Sequence, residues 1–504
     1  MYAFDLDTSL IEIITEGYKA DWTIRDAVEG VQIFGGIGSG KTSGSGRMLA
    51  LKYLKFGFGG LVLTVKPDEK KMWQEYCRLA GREQDLIILE RGGQHRFNFL
   101  EYVSALDEDG IAITENIVQV LKTVIRASEE KSGGKTDDPF WESALDMLIF
   151  NAIDLCTLAY GRASVQQMYD IALTAPKKPE EGGQQGGEDA ESKPFHIAFT
   201  LAQQAVDKEV DDFLEAMTDA EHEEYEQCPD QGTYLMERLP NARLLKFVDQ
   251  FFVETYRELN DKTRSIIEFS FTGFLFRLLK EPIYSLFCNG ASTLKPDDCL
   301  EGKIILINLP VKLYHKVGRD CQVMFKYIWQ QAMEKRQVNI KSRPIFLWAD
   351  EAQNFLHEHD ADYQATARSS RIATVYISQN LPNYHANMGG VKSEFRVKSF
   401  LGTLGTKIFH ANADLETNRY ASDLVGEGWT QDDSRTVTVS GNYSSGKTTS
   451  YNLRKIIRPE QLVSLKTGGT ENKLVTEGLV HRQGKELQAN FNHKIVRFRQ
   501  DYKV

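Results

Sequence analysis

Short apolar runs and stretches of helical period take turns along the first part of the chain. Val31, Ile33 and Phe34 form a compact run that predicts a buried strand, and Met48, Leu49, Leu51, Tyr53 and Leu54 then recur at helical spacing until Gly57. Residues 60–65 predict a second buried strand, Pro67 and Asp68 open a helix that ends near Gly81, and residues 86–89 predict a third strand. Strands alternating with helices predict a parallel sheet with right-handed crossovers. The alternation then stops. From about Leu100 to Pro296 the pattern is helical, over 111–125, 139–159, 244–260 and 266–279. It resumes with strands at 303–309, 345–349, 373–378 and 406–410 and a helix at 319–336. The predicted fold is α/β: one domain with a parallel sheet, contributed by residues 1–100 and 297–504, interrupted by an all-helical insert over 101–296. An insert of that length must be a folded domain, because structureless loops of nearly two hundred residues do not occur inside compact domains.

Charge adds one feature to this picture. The chain of 504 residues carries a net charge of −11, but residues 176–230 hold sixteen acidic and four basic side chains, so the remainder is close to neutral. This stretch is expected to be an acidic, flexible segment, most clearly over 176–193, where Gly, Gln, Glu and Pro dominate. Residues 451–504 lean the other way, with eleven basic and five acidic residues. The 41% apolar and 26% charged composition is that of a soluble globular protein. No uninterrupted apolar run reaches the length of a membrane span; the best candidate, 265–279, contains Glu268 and Arg277. The N-terminus, with Asp5 and Asp7, lacks the basic-then-apolar pattern of an export signal. Six scattered cysteines without a C-x-x-C pair suit idle thiols in a reducing compartment.

The chemistry is concentrated in Gly35-Gly36-Ile37-Gly38-Ser39-Gly40-Lys41-Thr42, followed by Ser43. It fits the phosphate-loop pattern G-x-x-x-x-G-K-[ST], and it lies between a predicted strand and a predicted helix. That setting aims several backbone N–H groups and a helix dipole at one point, which suits the polyphosphate of ATP. Lys41 can reach the β- and γ-phosphates, and the Thr42 hydroxyl can hold Mg²⁺. A second match, Gly441 to Thr448, follows an alternating run at 435–440 and opens no apolar helix, so residues 442–445 are expected at the tip of a hairpin.

The predicted strand at 345–349 runs into Asp350 and Glu351. A phosphate-loop enzyme needs a carboxylate at the end of a neighbouring strand for the Mg²⁺ shell, which suits Asp350, and Glu351 is placed to take a proton from the attacking water. Asp followed by Glu also suits a plain helix start. One strand further, Gln379 at a strand tip could sense the γ-phosphate, orient water or simply occupy a turn.

In order, GGIGSGKT, Phe97 to Leu100, Asp138 to Trp141, FLWADEAQNF, ARSSRIATVYISQN, Gly405 to Phe409, Asp414 to Thr417 and Arg458 to Leu462 resemble the type IV coupling proteins, the TraG/TraD-type ATPases of conjugation and type IV secretion within the FtsK/HerA clan. The resemblance spans roughly residues 30–480. It implies a RecA-like motor domain with an inserted all-helical domain that reads substrate or adaptors, and a ring of six subunits around a substrate channel. It also puts Gln379 at the family's sensor position and Arg368 where an arginine reaches the neighbour's nucleotide, with Arg371 in reserve. Most such proteins begin with transmembrane helices, whereas only about thirty residues precede this phosphate loop; the expectation is a cytoplasmic protein, held at the inner membrane through partners such as secretion-channel proteins.

The leading expectation is therefore an ATP- and Mg²⁺-dependent homo-hexameric motor delivering DNA or nucleoprotein. A protein-only substrate receptor ATPase and a nucleotide-switched scaffold in a mobile-element or defence complex are the alternatives.

Overall fold

The computed structural model describes all residues except 1–3, 16–17, 105–113, 132–138, 179–191, 389–392, 441 and 504. The chain divides into two compact units. One comprises residues 1–88, 296–322 and 329–504, and the other 89–295 with 323–328.

The first unit is built on a nine-stranded sheet. Its strands are numbered in chain order with two flanking hairpins: β1 Ser9–Thr15, β2 Tyr18–Thr23, β3 Val31–Phe34, β4 Gly59–Leu63, β5 Leu86–Leu89, β6 Ile304–Ile307, β7 Ile345–Asp350, β8 Ile372–Ser378, β9 Thr406–His410, β10 Glu427–Ser440, β11 Asn442–Lys455, β12 Val475–Arg482 and β13 His493–Arg499. The order across the sheet is β13-β12-β9-β3-β8-β7-β4-β6-β5. The run from β9 through β3, β8, β7 and β4 to β6 is parallel. These strands are buried on both faces, which explains their unbroken apolar character. Tyr53, Trp73, Phe346 and Trp348 pack in the core between the sheet and the helices Arg47–Lys55 and Glu69–Ala80. Gly81, at φ 69°, closes the second of these helices in the left-handed conformation.

Three features depart from the sequence reading. The sheet does not end at β9: β12 and β13 extend it in antiparallel fashion. Polar residues conceal both strands: β13, at the edge, alternates buried and solvated positions, whereas the inner β12 buries His481 and Arg482. The antiparallel β1–β2 hairpin also precedes the sheet. The second glycine-lysine match lies in the antiparallel β10–β11 hairpin, where Gly446 pairs with Thr436 and Lys447 with Arg435. Asn442 to Ser445 belong to the strand rather than to its tip.

The second unit is helical, with helices at Thr114–Lys131, Pro139–Tyr160, Val165–Thr174, Pro194–Ala216, Asp219–Gln227, Gln231–Arg238, Pro240–Asp249 and Asp261–Leu278. The acidic stretch 176–230 is thus not a single flexible segment. Phe195, Ala198, Ala202 and Val206 recur at helical spacing and are buried, which makes 194–216 an amphipathic helix beneath its acidic surface. Thr218 and Glu221 form a capping box for the next helix. The expectation for 179–191 lies outside the described residues. Among the described residues one helix, Phe140–Tyr160, is long and apolar enough to cross a membrane, which corrects the choice of 265–279. Leu145, Leu148, Ile149, Ala152, Leu155 and Cys156 on that helix are buried within the helical unit.

Candidate nucleotide site

The parallel pairing brings four strand ends to one edge of the sheet. Phe34 pairs with Ser378, Asp350 with Ile377 and Leu63 with Ala349, so the segments that follow β3, β8, β7 and β4 emerge side by side. This is the edge where open parallel sheets bind ligands. The phosphate loop follows β3, Gln379 follows β8, Asp350 and Glu351 end β7, and Lys66 lies beyond β4. Together they line a cavity of about 990 Å³ with Tyr76, Lys312 and Gly468, although buried Asp350 sits behind its wall.

The loop is held from behind. Gly35 N–H donates to the Ser378 carbonyl at 3.3 Å and Gly36 N–H to that of Ala411 at 2.9 Å. Gly38 and Gly40 have φ of +72° and +83°, which side chains disfavour, and a Cβ on Gly40 would lie 2.9 Å from Thr476. Thr476 Oγ1 donates to the Ser39 carbonyl at 2.7 Å. Beyond the loop, Thr42–Gly46 is a π-helical turn leading into the helix Arg47–Lys55. His410 sits beneath this turn, its Nδ1 2.8 Å from the Glu477 carbonyl and its Nε2 2.7 Å from Ser45 Oγ. A carbonyl only accepts, so Nδ1 carries the proton and Nε2 accepts from Ser45. Burial pushes the imidazole down to about 4, so it remains neutral near neutral pH.

Thr42 Oγ1 donates to Asp350 Oδ2 at 2.8 Å, and Glu351 N–H donates to Asp350 Oδ1 at 2.9 Å. Burial raises the pKa of Asp350, and Lys66, Thr42 and Lys41 pull the other way. Burial lowers that of Lys66, but Asp350, Glu351 and Glu69 outweigh it and the net shift is upward. Glu351 occupies the left-handed region at φ 53°, ψ 49°, and a 3₁₀ turn, Ala352–Asn354, follows it in place of a regular helix. Its carboxylate accepts from Gln353 Nε2 at 2.9 Å and from Gln379 Nε2 at 3.3 and 3.4 Å, and Lys66 Nζ lies 3.9 Å away.

The sequence-predicted residues Gly35 to Ser43, Asp350, Glu351 and Gln379 therefore meet at one place. Arg368 does not join them. It precedes β8, at the opposite end of the sheet, where its side chain is 57% exposed and 3.5 Å from Glu29. Arg371 is tied to its own chain, donating to the carbonyls of Phe4 at 2.6 Å and Ser342 at 2.9 Å, so it is not available as a reserve for Arg368. In the other glycine-lysine match, Lys447 pairs with Asp433 at 2.8 Å. Sequence reasoning missed Lys66, whose place directly after an apolar strand was a usable signal. It also missed Gln353 and Gln500, which donates to Ser43 Oγ at 2.6 Å from far along the chain.

Residues 344–467 match the family described as the TraM recognition site of TraD and TraG. No curated protein matches the chain by sequence. Among solved structures, the bacterial conjugative coupling protein TrwBdeltaN70, in its unbound monoclinic form, is similar with 13% identity and a TM-score of 0.55, over 98% of this chain and 89% of that one. The plasmid coupling protein TrwB in complex with ADP and Mg²⁺ gives 13% and 0.54 over 96% and 88%. Its complex with the non-hydrolysable ATP analogue ADPNP gives 13% and 0.52 over 95% and 87%. The resemblance to the type IV coupling proteins is borne out, and the fold is the RecA-like phosphate-loop fold of these structures.

Proposed function

We propose that the chain is an ATP-hydrolysing subunit of a ring-shaped motor that delivers DNA, or DNA with attached protein, to a conjugation or type IV secretion apparatus. The observation that carries this reading is the hydrogen bond from Thr42 to buried Asp350, beside a second carboxylate that Gln379 contacts. A loop that only cradled phosphate would need neither carboxylate. The likeness to TrwB structures holding ADP with Mg²⁺ or ADPNP supports ATP and Mg²⁺ as the ligands here. Hydroxyl and carboxylate oxygens at this spacing are the hard donors that Mg²⁺ takes, so Thr42 and Asp350 would hold the ion. Bound there, Mg²⁺ would supply positive charge to offset the negative charge of the phosphates.

The chain's own residues divide the remaining work. The N–H groups of the loop and the buried Lys41 ammonium bind the phosphates. Glu351 takes the proton of the attacking water, and Gln379, in contact with Glu351, would sense the γ-phosphate or orient that water. The arginine that lines the cavity, Arg47, donates to the Tyr502 carbonyl at 3.0 Å and lies over the Tyr76 ring, so an arginine for the outer side of the γ-phosphate would come from elsewhere. Arg368, exposed at the far end of the sheet, suits delivery to a neighbour in a head-to-tail ring, which closes as a hexamer. The family match over 344–467 supports docking of a relaxosome-type partner on this unit, and secretion-channel proteins are the expected hosts at the membrane. The protein would work on the cytoplasmic side.

The test separates binding from turnover. Lys41→Ala is expected to lose tight ATP binding, and Glu351→Gln to keep binding and lose turnover; wild-type hydrolysis by Glu351→Gln would overturn the assignment.

A further inference from the structure

Glu351 is held more firmly than a base at the end of a strand needs to be, and the holding group is not Gln379. Gln379 Nε2 meets both carboxylate oxygens at 3.3 and 3.4 Å, the long end of the hydrogen-bond range, and its side chain has no other partner among the described residues. Gln353 Nε2 donates to Glu351 Oε2 at 2.9 Å, while its Oε1 accepts from Ser378 Oγ at 2.9 Å. The amide is thus fixed at both ends and its orientation is set, because the carboxylate only accepts, so Nε2 faces Glu351 and Oε1 is left to accept from the serine.

The backbone makes this contact possible. Residues two apart in a strand share a face, but Glu351 ends the strand in the left-handed region and the chain turns at once into Ala352–Asn354. Asn354 secures the turn, its N–H and Nδ2 donating to the Glu351 carbonyl at 3.0 and 2.9 Å. The left-handed conformation costs about 1 kcal/mol or more for a non-glycine residue, and such strain persists where the surroundings over-determine it. Here it folds Gln353 back onto the carboxylate.

Ser378 links this arrangement to the nucleotide. Its hydroxyl orients Gln353, and its carbonyl accepts from Gly35 N–H at the start of the phosphate loop. A continuous chain of hydrogen bonds therefore runs from the phosphate loop through Ser378 and Gln353 to Glu351.

We propose that Gln353 is the positioning residue for Glu351, fixed by Ser378, and that Gln379 is the exchangeable contact, free to leave the carboxylate for the γ-phosphate. This rests on the reading of Glu351 as the base. Gln353 occupies Oε2, so the carboxylate presents Oε1, with Lys66 Nζ 3.9 Å from it, to the water once Gln379 turns away. Gln353 touches neither nucleotide nor water in this arrangement; its effect passes through Glu351.

Steady-state ATP hydrolysis by Gln353→Met, Ser378→Ala and the double variant tests this. Methionine keeps the length and volume of glutamine and removes the hydrogen bonds. Gln353→Met is expected to lower kcat by about tenfold or more with the KM for ATP within about twofold, the pattern of a lost transition-state interaction. Ser378→Ala, which leaves its backbone carbonyl on Gly35, is expected to lower kcat less, and to cost nothing further in the Gln353→Met background. Wild-type kcat in Gln353→Met, a rise in KM in place of the fall in kcat, or additive losses in the double variant would overturn the proposal. Glu351→Gln, assayed alongside, separates the two readings. If it turns over normally, the base assignment itself fails; if it is inactive while Gln353→Met is normal, only the role of Gln353 falls.

Discussion

Thr42 and Asp350, 308 positions apart in sequence, share a 2.8 Å hydrogen bond that joins the end of the phosphate loop to the end of β7. The contact places the two oxygen donors expected around Mg²⁺ side by side. Asp350→Asn keeps the shape and removes the charge. We expect it to retain nucleotide binding without Mg²⁺, to lose the gain in affinity that Mg²⁺ brings, and to turn over at least about a hundredfold more slowly. Titration of a fluorescent nucleotide with and without Mg²⁺ checks this.

Lys447 is paired with Asp433 on the β10–β11 hairpin, both side chains exposed, so Lys447→Ala should leave ATP affinity unchanged. A large rise in the ATP dissociation constant would give the second glycine-lysine match a role that its place in β11 does not suggest.

Burial holds His410 and His481 at about 4, against about 6.5 in the unfolded chain. Between those values the unfolded chain binds protons that the native state excludes. Stability is therefore fully present above about pH 6.5 and falls as pH drops toward 4, by up to about 1.4 kcal/mol per pH unit for each histidine. Thermal melts at pH 7, 6 and 5 should show the decline, and His410→Gln should be less stable at pH 7 but lose less between pH 7 and 5. An equal loss in wild type and variant would count against a neutral His410.

Arg368 lies outside its own site, so a role in hydrolysis requires a neighbour. Arg368→Ala should lose activity on the order of 10³-fold if the arginine acts in trans. Mixed with Lys41→Ala, it should regain part of that activity, because some interfaces then pair an intact loop with an intact arginine. Full activity of Arg368→Ala alone, or no recovery in mixed oligomers, would remove the arginine from the account.

The phosphate loop was legible because its residues act through the backbone of a contiguous segment, and the flanking apolar runs marked its setting. Asp350 and Glu351 were legible because a fully buried strand ended in two charges. Lys66 and Gln353 were harder to see. One is a lysine among many, and the other depends on the left-handed turn at Glu351, which no pattern of residue types announces. The supports of the loop, His410, Thr476 and Gln500, reach it only through tertiary folding. The helix over Pro194–Ala216 was hidden because its acidic residues dominated the composition while four small or aromatic positions carried the period.

On the proposed reading, ATP hydrolysis at this site is coupled to DNA. The most direct test is the steady-state ATPase rate of the wild-type chain with and without single- and double-stranded DNA, at two salt concentrations. The account predicts stimulation by DNA that weakens at the higher salt, as phosphate contacts require, and none in Glu351→Gln. A measurable ATPase rate that DNA leaves unchanged at both salt concentrations would contradict it.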